Sequence, residues 1–179
     1  VMGLLLFELG EAEASRTSNL RARALFHTAG DRWSEALALA NLAQLDQARG
    51  EYEIGAREYD EALSRFREHG DRRYEARYLG YRAGLEHERG ALPAARAIYA
   101  TSIELLSSLR IGPTEGHFRA CLAALEAADG QVDAALREID RAEVLLASGA
   151  PPSALAALEI HRGQIDVMLA RSAQIDSRD

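Results

Sequence analysis

The sequence predicts an all-α fold, an α-solenoid of antiparallel helix pairs, and three observations predict it. Glycines recur every twenty residues, at Gly30, Gly50, Gly70 and Gly90, then at Gly130 and, one residue early, Gly149. Each closes a segment with helical apolar spacing, where glycine suits the left-handed turn that ends a helix. No stretch sustains the polar–apolar alternation of a strand. Alanine is abundant and aromatics make up only 6% of the 179 residues, a composition for close helix packing rather than for a sheet sandwich.

Taken in order, the first helix pair covers about 1–30. Its opening Gly3-Leu4-Leu5-Leu6-Phe7 is apolar, but Glu8 follows and no basic residue precedes it, so it is not a secretory leader. Val1 falls inside a helical pattern, which reads as a segment cut from a longer protein. The second pair, 31–70, opens on Asp31 after Gly30, a suitable N-cap with Glu35 in the first turn. Glu51 after Gly50 opens its second helix. The third pair, 71–112, repeats the pattern with Asp71 and Glu75. Where glycine is due near 110, Gly112-Pro113 is expected to make the break, and Pro151-Pro152 makes the next, so the fourth pair spans 113–150. A final unpaired helix, 153–172, carries Leu155, Leu158, Ile160, Ile165, Met168 and Leu169. The total is about nine helices in a single repeat domain.

Core positions carry the same period. A small residue sits midway along each first helix, at Gly10, Ala43, Ala83, Ala123 and Gly163, spaced 33, 40, 40 and 40 apart. Twelve residues after the first four come Ala22, Gly55, Ala95 and Ala135; sixteen after come Phe26, Tyr59, Tyr99 and Ile139; nineteen after come Ala29, Ala62, Ser102 and Ala142. Small residues let two helices approach closely while the larger one fills the hole between them.

This order of small, turn-glycine, small, aromatic and small residues resembles the tetratricopeptide repeat (TPR). The best copy is Asn41-Leu42-Ala43 … Gly50-Glu51-Tyr52 … Tyr59-Asp60-Glu61-Ala62-Leu63. The resemblance covers nearly the whole chain, with Thr17 where the first repeat would have its turn glycine. The chain departs from the family in its period of 40 rather than 34, in Arg82 and Arg162 beside the small residue, and in lacking the closing proline after its first two full copies. These features are similar to the longer repeats of large bacterial regulators of the maltose-activator type, nucleotide-binding signalling ATPases and repeat-bearing kinases.

The resemblance implies a right-handed superhelix whose first helices line a concave groove where ligands lie. Carried over residue by residue, the groove positions are Glu8 and Glu11; Asn41, Gln44 and Gln47; Arg77, Tyr81, His87 and Glu88; His117 and Cys121; His161 and Gln164. An ordinary solvated helix face would look the same. Asn41 and Arg77 stand where the carboxylate-clamp subset grips a peptide terminus, but the clamp's lysine is absent and Gly80 occupies another of its positions. Gly80 and Gly84 leave a bare stripe on the third first helix, read as facing the groove. Trp33 is read as a cover for the preceding helix end beside Phe26, with a partner anchor as the alternative.

Composition narrows the function classes. The net charge is −7, against the clustered basic face a nucleic acid needs, and arginine supplies all 21 positive side chains, a bias that a GC-rich bacterial genome explains. Cys121 is the only cysteine, so no internal disulfide forms and a reducing, cytoplasmic setting is expected. No apolar run reaches the roughly 18 residues of a membrane span.

Catalytic readings are set aside. His87, His117 and His161 lie on successive repeats, roughly 20 Å apart at two helix diameters, too far to share a metal. His117 and Cys121, four residues apart, share a helix face, yet a lone cysteine there is more often a packing residue. Glu51/Glu53 and Asp60/Glu61 read as solvated faces among arginines, Glu58 with them. Gly80-Tyr81-Arg82-Ala83-Gly84 follows no strand and fails as a nucleotide fingerprint. The expectation is a non-catalytic protein- or peptide-binding scaffold or sensor module without cofactor or metal. The alternatives are a small-molecule sensor with a pocket lined by Tyr81, His117 and Cys121, or a structural module that dimerises through its terminal helix.

Overall fold

The computed structural model describes residues 12–147, 149–150 and 152–176, with the side chains of 153 and 169–176 outside that description. Among the described residues there are eight helices and no strand: α1 Ala12–Ala29, α2 Arg32–Ala48, α3 Tyr52–Glu68, α4 Arg72–Glu88, α5 Leu92–Ser108, α6 Gly112–Ala128, α7 Val132–Leu146 and α8 Pro152–Asp176. The helix expected before α1, with Gly10, falls on residues outside the description.

The turns follow the sequence closely. Gly30, Gly50, Gly70, Gly90, Gly130 and Gly149 all have positive φ. At Gly70 the amide donates to the Arg67 carbonyl and the next amide, Asp71, reaches back to Phe66, a Schellman closure that satisfies the last carbonyls of α3. The break near 110 differs from expectation. Arg110 itself takes the left-handed conformation, φ 56°, with its amide on Ser107 and that of Ile111 on Leu106. Gly112 and Pro113 open the first turn of α6 instead. Hydrogen bonding to the helix end outweighs the Cβ strain that favours glycine there. Asp31 and Asp71 cap α2 and α4, accepting from the amides of Ser34 and Tyr74. Glu51 stands at the cap of α3 without a side-chain hydrogen bond.

The chain divides into two compact units between Arg89 and Gly90. In the first, α1 packs on α2, α2 on α3, α3 on α4, and the two first helices α2 and α4 also touch. Its core holds Leu39, Leu42, Leu45, Tyr59, Phe66 and Leu85. Gly55 explains why small residues recur: a Cβ there would stand 3.0 Å from the Ala43 carbonyl oxygen and 3.1 Å from Leu85. In the second unit, α6 packs on α5, α7 and α8, and α7 on α8. Ala123, Ala135, Ile139, Ala142, Leu146, Leu158 and Ile165 form its shared apolar cluster.

Helix α1 corrects the register of the first repeat. Its buried residues are Ser15 and Asn19, forty before Gly55 and Tyr59, whereas Ala29 is exposed and Ala22 and Phe26 are half-buried. The second helices therefore keep the spacing of 40 throughout, and the 33-residue first step does not apply to them. Trp33 likewise turns forward rather than back. Its ring contacts among the described residues are Tyr74 at 5.0 Å and Phe66 at 6.4 Å, and its indole N–H donates to Asp71. It covers the α3–α4 turn.

Acidic side chains lie inside the stack at the same period. Asp46, Glu86 and Glu126 are buried near the ends of α2, α4 and α6, and Glu35 and Glu115 near the starts of α2 and α6. Each has an arginine partner: Asp46 with Arg16, Glu86 with Arg82 and Arg89, Glu126 with Arg96, Glu35 with Arg65, and Glu115 with Arg119. Burial alone would raise the Glu35 carboxyl, but Arg65 and then His27 hold it below the ordinary glutamate range. Arg82 and Arg162 reach back to Asp60 and Asp140, so each exchanges an apolar contact for an ion pair between repeats. Glu58 is no solvated residue: it is half-buried, with one carboxyl oxygen shielded from water, and the neighbouring Asp46 adds to the effect of burial in raising its carboxyl.

Candidate functional site

The expected groove residues divide between the units, and each set is held by the first helices of its own unit. In the first unit, α2 and α4 present Gln44, Gln47, Arg77, Tyr81, His87 and Glu88, all half-buried except the exposed Glu88. Gln47 ties the two helices together: its Nε2 donates to Glu88 Oε1 at 2.8 Å, and the buried Tyr59 hydroxyl donates to its Oε1 at 3.2 Å. Arg77 lies over the Tyr74 ring at 5.5 Å, and Tyr81 packs against Tyr78 at 5.7 Å. A polar face with an aromatic footing results.

Asn41 does not belong to that face. It is 6% exposed, its Oδ1 accepts from the Tyr78 hydroxyl, and its Nδ2 donates to Asn19 Oδ1, both at 3.4 Å. A chain of polar groups thus runs through the packing of α1, α2 and α4, each satisfying the next, as burial requires. A first-helix position next to the small Ala43 faces the neighbouring helices, not the groove. Gly80 is also buried, so of the glycine pair only Gly84 keeps exposure. Glu8 and Glu11 lie outside the described residues.

In the second unit, α6 and α8 hold His117, Cys121, His161 and Gln164. Cys121 Sγ is 4.0 Å from His117 Nε2, one helical turn away. Burial pushes the Cys121 thiol up to about 11, so at neutral pH it is a protonated thiol, the opposite of an activated nucleophile. Burial also holds His117 below the ordinary histidine value, with the charge of His161 adding to the effect. The two histidines thus feel each other, and the 20 Å separation expected from repeat stacking is too large, because α6 packs directly on α8. His161 Nδ1 pairs with Gln164 Oε1 at 3.2 Å. Among the described residues no three His, Cys, Asp or Glu side chains converge as a metal-binding group. On α8, Leu155, Ile160 and Val167 are exposed. No helix among the described residues is long and apolar enough to cross a membrane.

Sequence reasoning missed Tyr74 and Tyr78, which support Arg77 and Tyr81 and fix Asn41. Their signal was present as three tyrosines at helical spacing, Tyr74, Tyr78 and Tyr81.

No family model and no curated protein matches the chain. Solved structures do. A crystal structure of the nearly identical TPR-like repeats of a Podosopora anserina protein assigned as a kinesin light chain superposes with a TM-score of 0.68 at 13% identity, covering 96% of this chain and 93% of that one. A single-substitution variant of the same protein gives 0.69 at 14% identity, covering 99% and 92%. The fold is TPR-like.

Proposed function

We propose that this chain is a non-catalytic protein- or peptide-binding module, a single domain of TPR-like repeats serving as scaffold or sensor within a longer bacterial regulator of the maltose-activator type in the cytoplasm. The observation that carries the proposal is the first-helix face of the first unit. There Arg77 and Glu88, opposite in charge, flank Tyr81 and Gln47 on helices whose side chains are already held by Tyr74, Tyr78 and Tyr59. Side chains ordered before binding cost less entropy on association, which suits recognition of a peptide backbone and its side chains. The acidity, −7 overall, and the neutral Cys121 thiol support a partner other than nucleic acid and a role other than catalysis.

The test is a charge exchange, Arg77→Glu with Glu88→Arg. A partner captured by the native chain from extracts of its source, then purified, should bind the double variant at least about tenfold more weakly, or about 1.4 kcal/mol. Helical circular dichroism should stay unchanged. Equal affinity for both proteins would remove this face from the binding reaction.

A further inference from the structure

We propose that the exposed face of α8 docks an amphipathic helix of a partner protein, one that carries an arginine or lysine against Glu159. Leu158 and Ile165 hold α8 in the apolar cluster of the second unit. On the opposite side of the helix, Ala156, Ile160, Gly163 and Val167 recur at helical spacing as one stripe. Ile160 is 60% and Val167 52% exposed, and a Cβ on Gly163 would meet nothing within 4 Å. Glu159 and, two turns on, Asp166 edge the stripe, and both are exposed. Among the described residues neither enters an ion pair, those of α8 being made by Arg162.

The repeat itself shows what such a face receives. Forty residues earlier, on α6, the same positions are Gly116, Ala120, Ala123 and Ala127, and all four are buried. On α2 the first three are Ala36, Ala40 and Ala43, buried as well. The helix that follows lies against them. A Cβ on Gly116 would stand 2.8 Å from Leu146 Cγ and 3.1 Å from Leu145 Cβ of α7, and one on Gly55 of α3 would stand 3.0 Å from the Ala43 carbonyl oxygen. A helix laid on α8 as α7 lies on α6 would bring the counterparts of Leu145 and Leu146 over Ala156 and would cover Ile160 with apolar surface.

Charge narrows the occupant. On α6, Arg119 pairs with Glu138 of α7 at 2.5 Å, whereas the residue forty positions on, on α8, is Glu159. The sign on this side of the contact is reversed, so the helix that fits α8 carries a cation where α7 has Glu138. A second copy of this chain does not supply it, because the corresponding residues of α1, α3, α5 and α7 are Ser18, Glu58, Ile98 and Glu138. The face belongs to the second unit, whereas the peptide-binding face proposed above belongs to the first, and neither reading depends on the other.

Fluorescence anisotropy on the full chain tests this with labelled peptides of the α7 sequence, residues 131–147. The peptide bearing Glu138→Arg should bind saturably, at least about fivefold more tightly than the peptide with the native glutamate. In the protein, Glu159→Arg should reverse that order. Ile160→Asp, at an exposed position, should abolish binding of both peptides while circular dichroism stays unchanged. Absence of saturable binding, no dependence on the charge at 138, or an order that Glu159→Arg leaves in place overturns the proposal. Self-association of the chain that Ile160→Asp abolishes also overturns it, since the occupant is then a second copy. So does failure of the arginine peptide to bind the protein in the form its source produces, which identifies a covering segment of the same polypeptide.

Discussion

Asp71 accepts two hydrogen bonds through one carboxylate, from the Tyr74 amide at 3.2 Å and from the Trp33 indole at 3.1 Å. Asp71→Ala removes the cap of α4, on the order of 1 kcal/mol, and leaves a half-buried indole donor without its acceptor, costing about 1 kcal/mol more. Urea denaturation should show the sum, with Asp71→Asn retaining most of the stability; a loss below about 0.5 kcal/mol in Asp71→Ala would refute the double role. Arg110 is the converse case, a side chain where glycine is favoured. Arg110→Gly relieves the left-handed strain and should raise stability by about 0.5–1 kcal/mol in the same measurement. The cap was legible because glycine followed by aspartate before a helical pattern is a local signal. The indole partner was not, since Trp33 and Asp71 are 38 residues apart and meet only when α2 packs against the α3–α4 turn.

Helix α6 carries a glycine that no turn requires. A Cβ on Gly116 would come within 2.8 Å of Leu146 Cγ and 3.1 Å of Leu145 Cβ, whereas a Cβ on Gly163 of α8 would meet nothing within 4 Å. Gly116→Ala should therefore destabilise by about 1–3 kcal/mol despite better helix propensity, and Gly163→Ala should stabilise by up to about 1 kcal/mol. Thermal unfolding of the pair checks both signs. The joint of α1, α2 and α3 adds a pH dependence. Burial, and then the neighbouring Asp46, push the Glu58 carboxyl up to about 7 from an ordinary 4.5. One oxygen of each, Asp46 Oδ2 and Glu58 Oε2, is buried without another partner, and a proton held between the two carboxyls satisfies both. Arg16 holds the other Asp46 oxygen at 3.2 Å, and Arg16 and Arg23 moderate the shift. Because the folded carboxyl binds its proton more tightly than the unfolded one, this contribution is complete below about 4.5 and declines as pH rises through about 7. The melting temperature should fall by a few degrees between pH 5.5 and 8, with Glu58→Gln removing most of the fall. A wild-type profile as flat as that of the variant would show that no proton is shared there.

Over the chain as a whole, a net charge of −7 coexists with a set of arginines, Arg16, Arg65, Arg82, Arg96 and Arg119, committed to buried carboxylates. That commitment gives the charge exchange at Arg77 and Glu88 its meaning. Arg77 rests on a tyrosine ring and the exposed Glu88 on a single glutamine, so reversing them should change recognition while leaving the fold in place.

The sequence by itself determined the period of 40 and most helix ends, but not the break at Arg110 or the unbroken helix through Thr17. These depend on local chemistry, namely glycine at positive φ, aspartate on a free amide, and small residues at positions where two backbones meet. Of the positions it read as outward on the first helices, Gln47, Arg77 and Tyr81 are half-buried and Glu88 is exposed. Only the tertiary structure decided that Asn41 is buried, that α1 packs through Ser15 and Asn19, and that His117 lies within the field of His161. A helical face is visible in spacing, but which face turns inward depends on the neighbours a helix has on both sides. The buried carboxylates were hidden for a related reason. An acidic residue reads as solvated until the arginine that compensates it arrives from another helix.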